Sequence, residues 1–160
     1  MAILAVLVLS VVTPAMAGKP QAATCKVDVR AKPIDGGFGS YHLFIVHTDV
    51  KGIQTYYRGG PEYDSFIYWG DIVTEYGKYV RRTIDWYPKA KSVTVASGSD
   101  FCSLNTCLAQ YADAIEASNT PYALLGPNSN SVVYTLLGDC GLPEEKPDVW
   151  APGWGMYIGD

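Results

Sequence analysis

The chain has 160 residues, of which 48% are hydrophobic, and a formal net charge of −4 at pH 7. This length is enough for one domain with a buried core. The 12 Lys and Arg residues are scattered, and the longest basic run is the pair Arg81-Arg82. Because the sequence contains no cluster of basic residues, we expect no nucleic-acid partner.

The first 17 residues have the pattern of a secretory signal peptide. An apolar run over residues 2–12 is followed by Ala15-Met16-Ala17, a small-x-small cleavage sequence. The run is shorter than the roughly 20 residues of a membrane-spanning helix, so a retained N-terminal anchor is the less favoured alternative. We predict a signal peptide over residues 1–17, a single domain over residues 18–160 with no transmembrane segment, and a secreted or periplasmic location.

Four cysteines in an exported chain predict two disulfides. They are Cys25, Cys102, Cys107 and Cys140. The short spacing between Cys102 and Cys107 favours a bond between these two, which leaves Cys25 to pair with Cys140. The other two pairings stay open. No Cys-x2-Cys pair occurs, so the cysteines are not expected to bind metal.

The first half of the chain predicts three strands. Small apolar and charged residues alternate over residues 25–32, which indicates a strand. A loop rich in Gly and Pro over residues 33–40 leads to a second strand over residues 41–49, where aromatic and β-branched residues dominate. A short turn then connects this strand to a third strand over residues 53–58, and the two strands are expected to form a hairpin.

The second half predicts two more strands and two helices. The strands are expected over residues 82–86 and 92–96, whereas the aromatic-rich residues 62–79 give no clear element. Apolar residues recur at helical spacing over residues 100–118, with Asp100 as the N-cap, and a second helix is expected over residues 129–137. The predicted fold class is therefore α+β, with an antiparallel sheet and a few helices.

Common catalytic and cofactor-binding motifs do not occur. There is no Gly-x-Ser-x-Gly elbow, His-Glu-x-x-His helix, phosphate-binding loop or dinucleotide fingerprint, and we predict no cofactor. The two histidines, His42 and His47, are five positions apart on one predicted strand, so their side chains face opposite sides of the sheet. His47 shares its face with Asp49, but His42 cannot join them, and we predict no metal site there.

One segment combines small polar residues with the start of a helix. Asn128-Ser129-Asn130-Ser131 leads from a Gly-Pro turn into an apolar, helix-forming stretch. A Ser hydroxyl at a helix N-terminus can cap the helix, bind an anion or act as a nucleophile. Helix capping alone accounts for such a run and stays open as the alternative to chemistry.

Two segments resemble a known group of enzymes. Asn128-Ser129-Asn130-Ser131-Val132-Val133 is similar to the nucleophile motif Asn-Cys-x-x-aromatic-Val of the circularly permuted papain-like hydrolases, which include lecithin retinol acyltransferase and bacterial relatives. Residues 41–46 resemble the earlier strand that carries the catalytic His in that group. The chain departs from the motif at Ser129, where the group has Cys, and at Val132, where it has an aromatic residue. It also resembles exported bacterial proteins with a Gly-Pro-Asn-Ser-Asn motif, which have no established activity.

The resemblance implies a permuted papain-like fold and hydrolysis or transfer of an acyl or amide group. It places Ser129 as the nucleophile and His42 as the general base, although no carboxylate that would orient His42 is apparent. The candidate substrate-binding residues are Asn128, Asn130, Arg58 and Tyr57.

The ligand is expected to be a small molecule, a peptide or a lipid. A non-catalytic exported binding module on the same fold is the competing class of function. A toxin or effector delivered to another cell would share the fold and differ in delivery.

Overall fold

A computed structural model describes residues 24–63, 65 and 68–159, and the predicted signal peptide lies outside them. The strands are β1 (Cys25–Pro33), β2 (Tyr41–Thr48), β3 (Gln54–Pro61), β4 (Ile72–Lys78) and β5 (Lys91–Gly98). They are followed by the helices α1 (Leu104–Ala117) and α2 (Ser129–Asp139). Within this described part of the chain, neither helix is long and apolar enough to cross a membrane.

The five strands form one sheet in the order β4-β3-β2-β1-β5, and all neighbouring strands are antiparallel. The predicted α+β class is therefore confirmed. Leu43 and Ile45 of β2 belong to the main core, which contains the buried apolar residues of both helices. Phe44 and Val46 belong to a smaller cluster with Tyr56 and Tyr79. Because both faces of β2 are covered, its central residues 43–46 form a continuous apolar run.

Two predictions of local structure are wrong. The strand predicted over residues 82–86 is a pair of turns, in which Thr83 donates its N–H to the Val80 carbonyl and Trp86 donates to the Thr83 carbonyl. The edge strand β4 lies instead in the aromatic-rich segment. Helix α1 begins at Leu104, because Asp100 belongs to a separate 3-10 turn over Ser99–Phe101.

The favoured disulfide pairing is also wrong, although all four cysteines are paired. The bonds are Cys25–Cys102 and Cys107–Cys140. The pairing of Cys25 with Gly98 at the end of β5 brings β1 close to the turn that holds Cys102. Cys107 lies within α1, whereas Cys140 ends α2, so the second disulfide joins the two helices. Two disulfides fit an extracellular or otherwise non-cytosolic protein.

At one end of the sheet the neighbouring strands β2 and β3 separate and leave an opening between them. Strands β2 and β3 pair only from Ile45↔Tyr57 to Thr48↔Gln54. Beyond that point β2 continues along β1 to Pro33↔Tyr41, while β3 continues along β4 to Pro61↔Ile72. At this end β2 pairs only with β1, and β3 pairs only with β4. The N-terminus of α2 packs at this opening.

Candidate active site

Asn130 fixes the start of α2 against β2. Its Oδ1 accepts a hydrogen bond from the Leu43 N–H at 2.8 Å, just beyond the last residue of β2 that pairs with β3. Its Nδ2 donates to the carbonyl of Tyr41 at 3.0 Å and to that of Pro152 at 2.9 Å. A buried amide with these three bonds holds the first turn of α2 at the opening in the sheet.

Asn128 and Ser131 form the cap of α2. Asn128 Oδ1 accepts from the Asn130 N–H at 2.8 Å, and Ser131 Oγ accepts from the Asn128 N–H at 3.1 Å. Ser131 Oγ also donates to the Gly153 carbonyl at 2.8 Å. This capping box satisfies backbone groups that a helix N-terminus otherwise leaves without partners.

Ser129 differs from its three polar neighbours. Its hydroxyl makes no hydrogen bond to any residue in the described part of the chain, although the residue is largely buried. It lines a cavity of about 280 Å³ at the opening in the sheet. The cap is therefore formed by Asn128 and Ser131, which leaves the Ser129 hydroxyl available for another role.

Gly59 of β3 allows the close approach of α2. A Cβ at this position would lie 2.4 Å from Val132 Cγ2 and 3.3 Å from Ser129 Cα, and the first distance is too short for any real contact. The absence of a side chain at Gly59 therefore lets the first turn of α2 pack directly on the backbone of β3. This contact places Ser129 beside the opening.

His42 is held by Asp85, which lies in the turns between β4 and β5. His42 Nε2 is 3.1 Å from Asp85 Oδ2, and both residues are buried. Two cationic groups also face this carboxylate: Arg58 Nε is 2.8 Å from Oδ2, and Lys32 Nζ is 3.8 Å from Oδ1. Asp85 is thus the carboxylate that the sequence analysis did not identify.

The environment of Asp85 determines how it interacts with His42. Burial raises the pKa of the Asp85 carboxyl, but the hydrogen bond and charge of His42, together with Arg58 and Lys32, outweigh burial and bring that pKa below its ordinary value. Asp85 is therefore ionised at neutral pH and can only accept hydrogen bonds. It follows that His42 Nε2 carries a hydrogen, which leaves Nδ1 as the basic nitrogen of the neutral ring.

Three of the predicted site residues lie around this cavity. Ser129, His42 and Arg58 all line it, together with Asp85, Lys32 and Tyr122. Ser129 and His42 come from opposite faces of the sheet. The side chain of His42 lies on the same face as Phe44, whereas α2, which carries Ser129, packs on the other face. The two residues reach the same cavity only because β2 and β3 separate at this end.

The other three predicted residues do not line this cavity. Tyr57 is buried on the helix face, where its hydroxyl donates to Asn105 Oδ1 at 2.9 Å. The side chains of Asn128 and Asn130 bind protein groups as described above. The structure gives these three residues positioning roles in the fold, and their contact with substrate stays a prediction.

The cavity does not have the ligands of a metal site. Within the described ranges, no three His, Cys, Asp or Glu side chains converge to hold a metal ion. The side chains that are present offer a hydroxyl, an imidazole held by a carboxylate, and two cationic groups. No protein-family model, curated protein or solved structure matches this chain. Its function must therefore be inferred from the cavity itself.

Proposed function

We propose that the protein is an exported hydrolase or acyltransferase that acts on an ester or amide bond. In this proposal Ser129 is the nucleophile, His42 is the general base and Asp85 orients His42. The observation that carries the proposal is that all three residues line one cavity, with His42 Nε2 3.1 Å from Asp85. A nucleophile, a base and a third group that orients the base form the usual arrangement for covalent acyl transfer.

The reaction begins as Ser129 Oγ attacks the carbonyl carbon of the substrate and its proton passes to His42 Nδ1. The tetrahedral intermediate breaks its bond to the alcohol or amine, and that leaving group takes the proton from His42. An ester on Ser129 remains. Water then attacks this ester while His42 again accepts a proton. The bond between the acyl carbon and Ser129 Oγ breaks, Ser129 Oγ takes the proton from His42, and the carboxylic acid is released. An alcohol or amine in place of water gives transfer instead of hydrolysis.

The start of α2 supports the negative charge that develops on the carbonyl oxygen. Ser129 is the first residue of the helix, so its N–H has no acceptor within the helix and is a candidate donor to this oxygen. The helix dipole adds stabilisation of up to about 2 kcal/mol in a partly buried site. A hydroxyl is less acidic than a thiol, so a Ser nucleophile depends more strongly on these contributions.

The proposal includes a permuted papain-like arrangement. The order along the chain supports it, because the strand with His42 precedes the helix that begins with Ser129. The predicted signal peptide and the two disulfides support export.

The alternative is an exported binding module without catalytic activity. For such a module the cavity wall offers hydrogen-bond donors on Lys32 and Arg58 beside the carboxylates of Asp35 and Asp85, which suits a polar ligand with a carboxylate or phosphate group facing Arg58. The two functions make different demands on Ser129, because a binding module needs no activated hydroxyl.

A fluorophosphonate probe tests the proposal directly, because it reacts with activated serines. The disulfide-bonded protein is incubated with the probe, and the labelled residue is identified by peptide mapping. We expect labelling at Ser129 that is abolished by Ser129→Ala. Ser131→Ala is the matched control, since Ser131 is two residues away and belongs to the cap. It is expected to keep the labelling while it loses about 1 kcal/mol of stability.

Two results would contradict the proposal. One is the absence of labelling in protein whose circular dichroism and disulfide content show that it is folded. The other is labelling that persists in Ser129→Ala. Either result would favour the binding module, for which titration with small carboxylates and phosphates is the next experiment.

A further inference from the structure

A second cavity adjoins the first. It has a volume of about 370 Å³ and shares two wall residues, Ile34 and Asp35, with the cavity that Ser129 lines. We call it the apolar groove, and define it by six of its residues: Ile34, Phe38, Trp69, Leu124, Leu125 and Trp150. Among the described residues that line it, Asp35 is the single charged one.

The groove exposes large apolar side chains to solvent. Phe38 is 98% exposed, Leu125 72% and Trp150 56%. Phe38 also has a φ of 51°, in the left-handed region that non-glycine residues rarely adopt. Neither burial nor backbone preference keeps an aromatic residue at this position. Apolar side chains gathered in this way are typical of a ligand-binding or docking surface.

Hydrogen bonds fix the walls of the groove and connect them to the site of Ser129. The Trp150 carbonyl accepts from the Tyr41 N–H at 2.9 Å, and the Pro152 carbonyl accepts from Asn130 Nδ2 at 2.9 Å. Asn128 Nδ2 donates to the Leu124 carbonyl at 3.1 Å. The two asparagines that hold the start of α2 therefore also bind two segments of the groove wall, which ties the groove to the cavity that Ser129 lines.

We propose that the apolar groove binds the apolar acyl group of the substrate while the substrate carbonyl lies at Ser129. This inference rests on the proposed function and names its substrate class: esters or amides of an uncharged aliphatic or arylalkyl acid. The volume is within the range of roughly 300–1,000 Å³ that small-molecule pockets occupy. A negatively charged acyl group is disfavoured by Asp35, and a charge of either sign would lose its hydration against the apolar side chains of the groove.

The length of the acyl group is the first variable to test. We would measure kcat/KM for p-nitrophenyl acetate, butyrate, hexanoate and octanoate, and for p-nitrophenyl 3-phenylpropionate as the aromatic arm. Each methylene that enters the groove is expected to raise kcat/KM about fourfold until the groove is full. A preference for the phenyl compound over the hexanoate would identify an arylalkyl acid, and the reverse an aliphatic one. Both results support the proposal.

Variants in the groove test whether this dependence arises there. Leu125→Ser and Trp150→Ala are expected to reduce the dependence on chain length, lowering the ratio of octanoate to acetate kcat/KM at least tenfold. Ile53→Ser is the matched control, since Ile53 is also an exposed apolar residue but lies in the β2–β3 turn, away from the groove. It is expected to keep the wild-type ratio.

A binding measurement separates failure of this inference from failure of the proposed function. Octanol and 3-phenylpropanol are titrated into the Ser129→Ala protein, with tryptophan fluorescence as the readout for Trp69 and Trp150. Saturable binding that is lost in Ser129→Ala/Leu125→Ser supports the groove even if Ser129 proves unreactive. If Ser129 reacts with the fluorophosphonate but kcat/KM is independent of chain length and neither alcohol binds, the inference about the groove is overturned while the proposed function stands.

Discussion

His42 and His47 lie on the same strand, but at ends of the sheet that differ in structure. At His47 the sheet is closed, since this residue pairs with Val27 of β1 and with Thr55 of β3. Its Nε2 is 3.0 Å from the Phe101 carbonyl and its buried Nδ1 has no partner among the described residues. At His42 the sheet is open, and the ring lies between a buried carboxylate and a cavity.

The difference shows how one residue type can occupy two different environments on one strand. Strand pairing on both sides encloses His47, and the nearby bond between Cys25 and Cys102 fixes that end. The loss of pairing on one side of β2 leaves His42 in the wall of a cavity. The site is therefore defined by where β2 and β3 separate, as much as by the residues themselves.

The largest expected effect comes from replacing each histidine with glutamine. His42→Gln removes the proposed base, so the rate of fluorophosphonate labelling should fall by about 10²- to 10⁴-fold. His47→Gln should keep the labelling rate per folded molecule and lose about 1–3 kcal/mol of stability, because it alters a buried hydrogen bond. Labelling kinetics and urea denaturation measure the two quantities. Equal losses of labelling in both variants would remove the distinction between the two ends.

The next effect concerns the disulfide at the closed end. The double variant Cys25→Ser/Cys102→Ser opens a loop with a sequence separation of 77 residues. It should lose about 4 kcal/mol of stability in the chain-entropy model. Labelling of the molecules that stay folded should be unchanged, since the disulfide does not touch the cavity. A selective loss of labelling, at a denaturant concentration where the protein is folded, would show that the closed end controls the site.

A smaller effect is expected where α2 meets β3 at the open end. Gly59→Ala forces a Cβ against Val132, and such overpacking should cost about 1–3 kcal/mol and slow labelling of the adjacent Ser129. Gly77→Ala in β4 is the matched control, because its Cβ would meet only Tyr56 Cε1 at 3.8 Å. The control should change stability by less than about 0.5 kcal/mol. If both variants behave alike, the close approach of α2 is not what positions Ser129.

The smallest effect is a pH dependence assigned to Asp85. The pKa of Asp85 is lowered in the folded protein, so its ionised form stabilises the fold above the unfolded-state pKa of about 3.9, and this contribution is lost as the pH falls through the lower folded value. Urea denaturation of wild type and Asp85→Asn at pH 7 and pH 3 measures it. The stability difference between the two proteins should shrink at the lower pH. If the stability difference stays constant or grows at pH 3, the conclusion that folding lowers the pKa of Asp85 is contradicted.

Much of the fold could be predicted because the relevant patterns are local. Strands β1, β2, β3 and β5 and both helices follow from alternation, β-branched residues and helical spacing within short windows. Strand β4 could not be recognised in this way. It is an edge strand that pairs only with β3, and most of its side chains are partly exposed, so it has no strong apolar pattern.

Residues of the candidate site could be proposed from the sequence only where a resemblance or a helix N-terminus marked them. Ser129, His42 and Arg58 line one cavity, but Asp85 comes from a turn 43 residues after His42 and has no local signal. The wrong prediction of a strand over residues 82–86 also made Asp85 harder to recognise as a partner of His42. The disulfide pairing depends on which ends of the sheet and helices meet in space, and spacing along the chain does not contain that information.

The hydrogen bonds of Asn130 also determine when the site can assemble as the chain is made. They join positions 87 and 89 residues apart, and Pro152 and Gly153 supply further acceptors for the same turn of α2. A nascent chain that is still being synthesised or translocated therefore has no assembled site until residue 153 has emerged. The start of α2 therefore reaches its final set of hydrogen bonds only after nearly all of the described residues have been made.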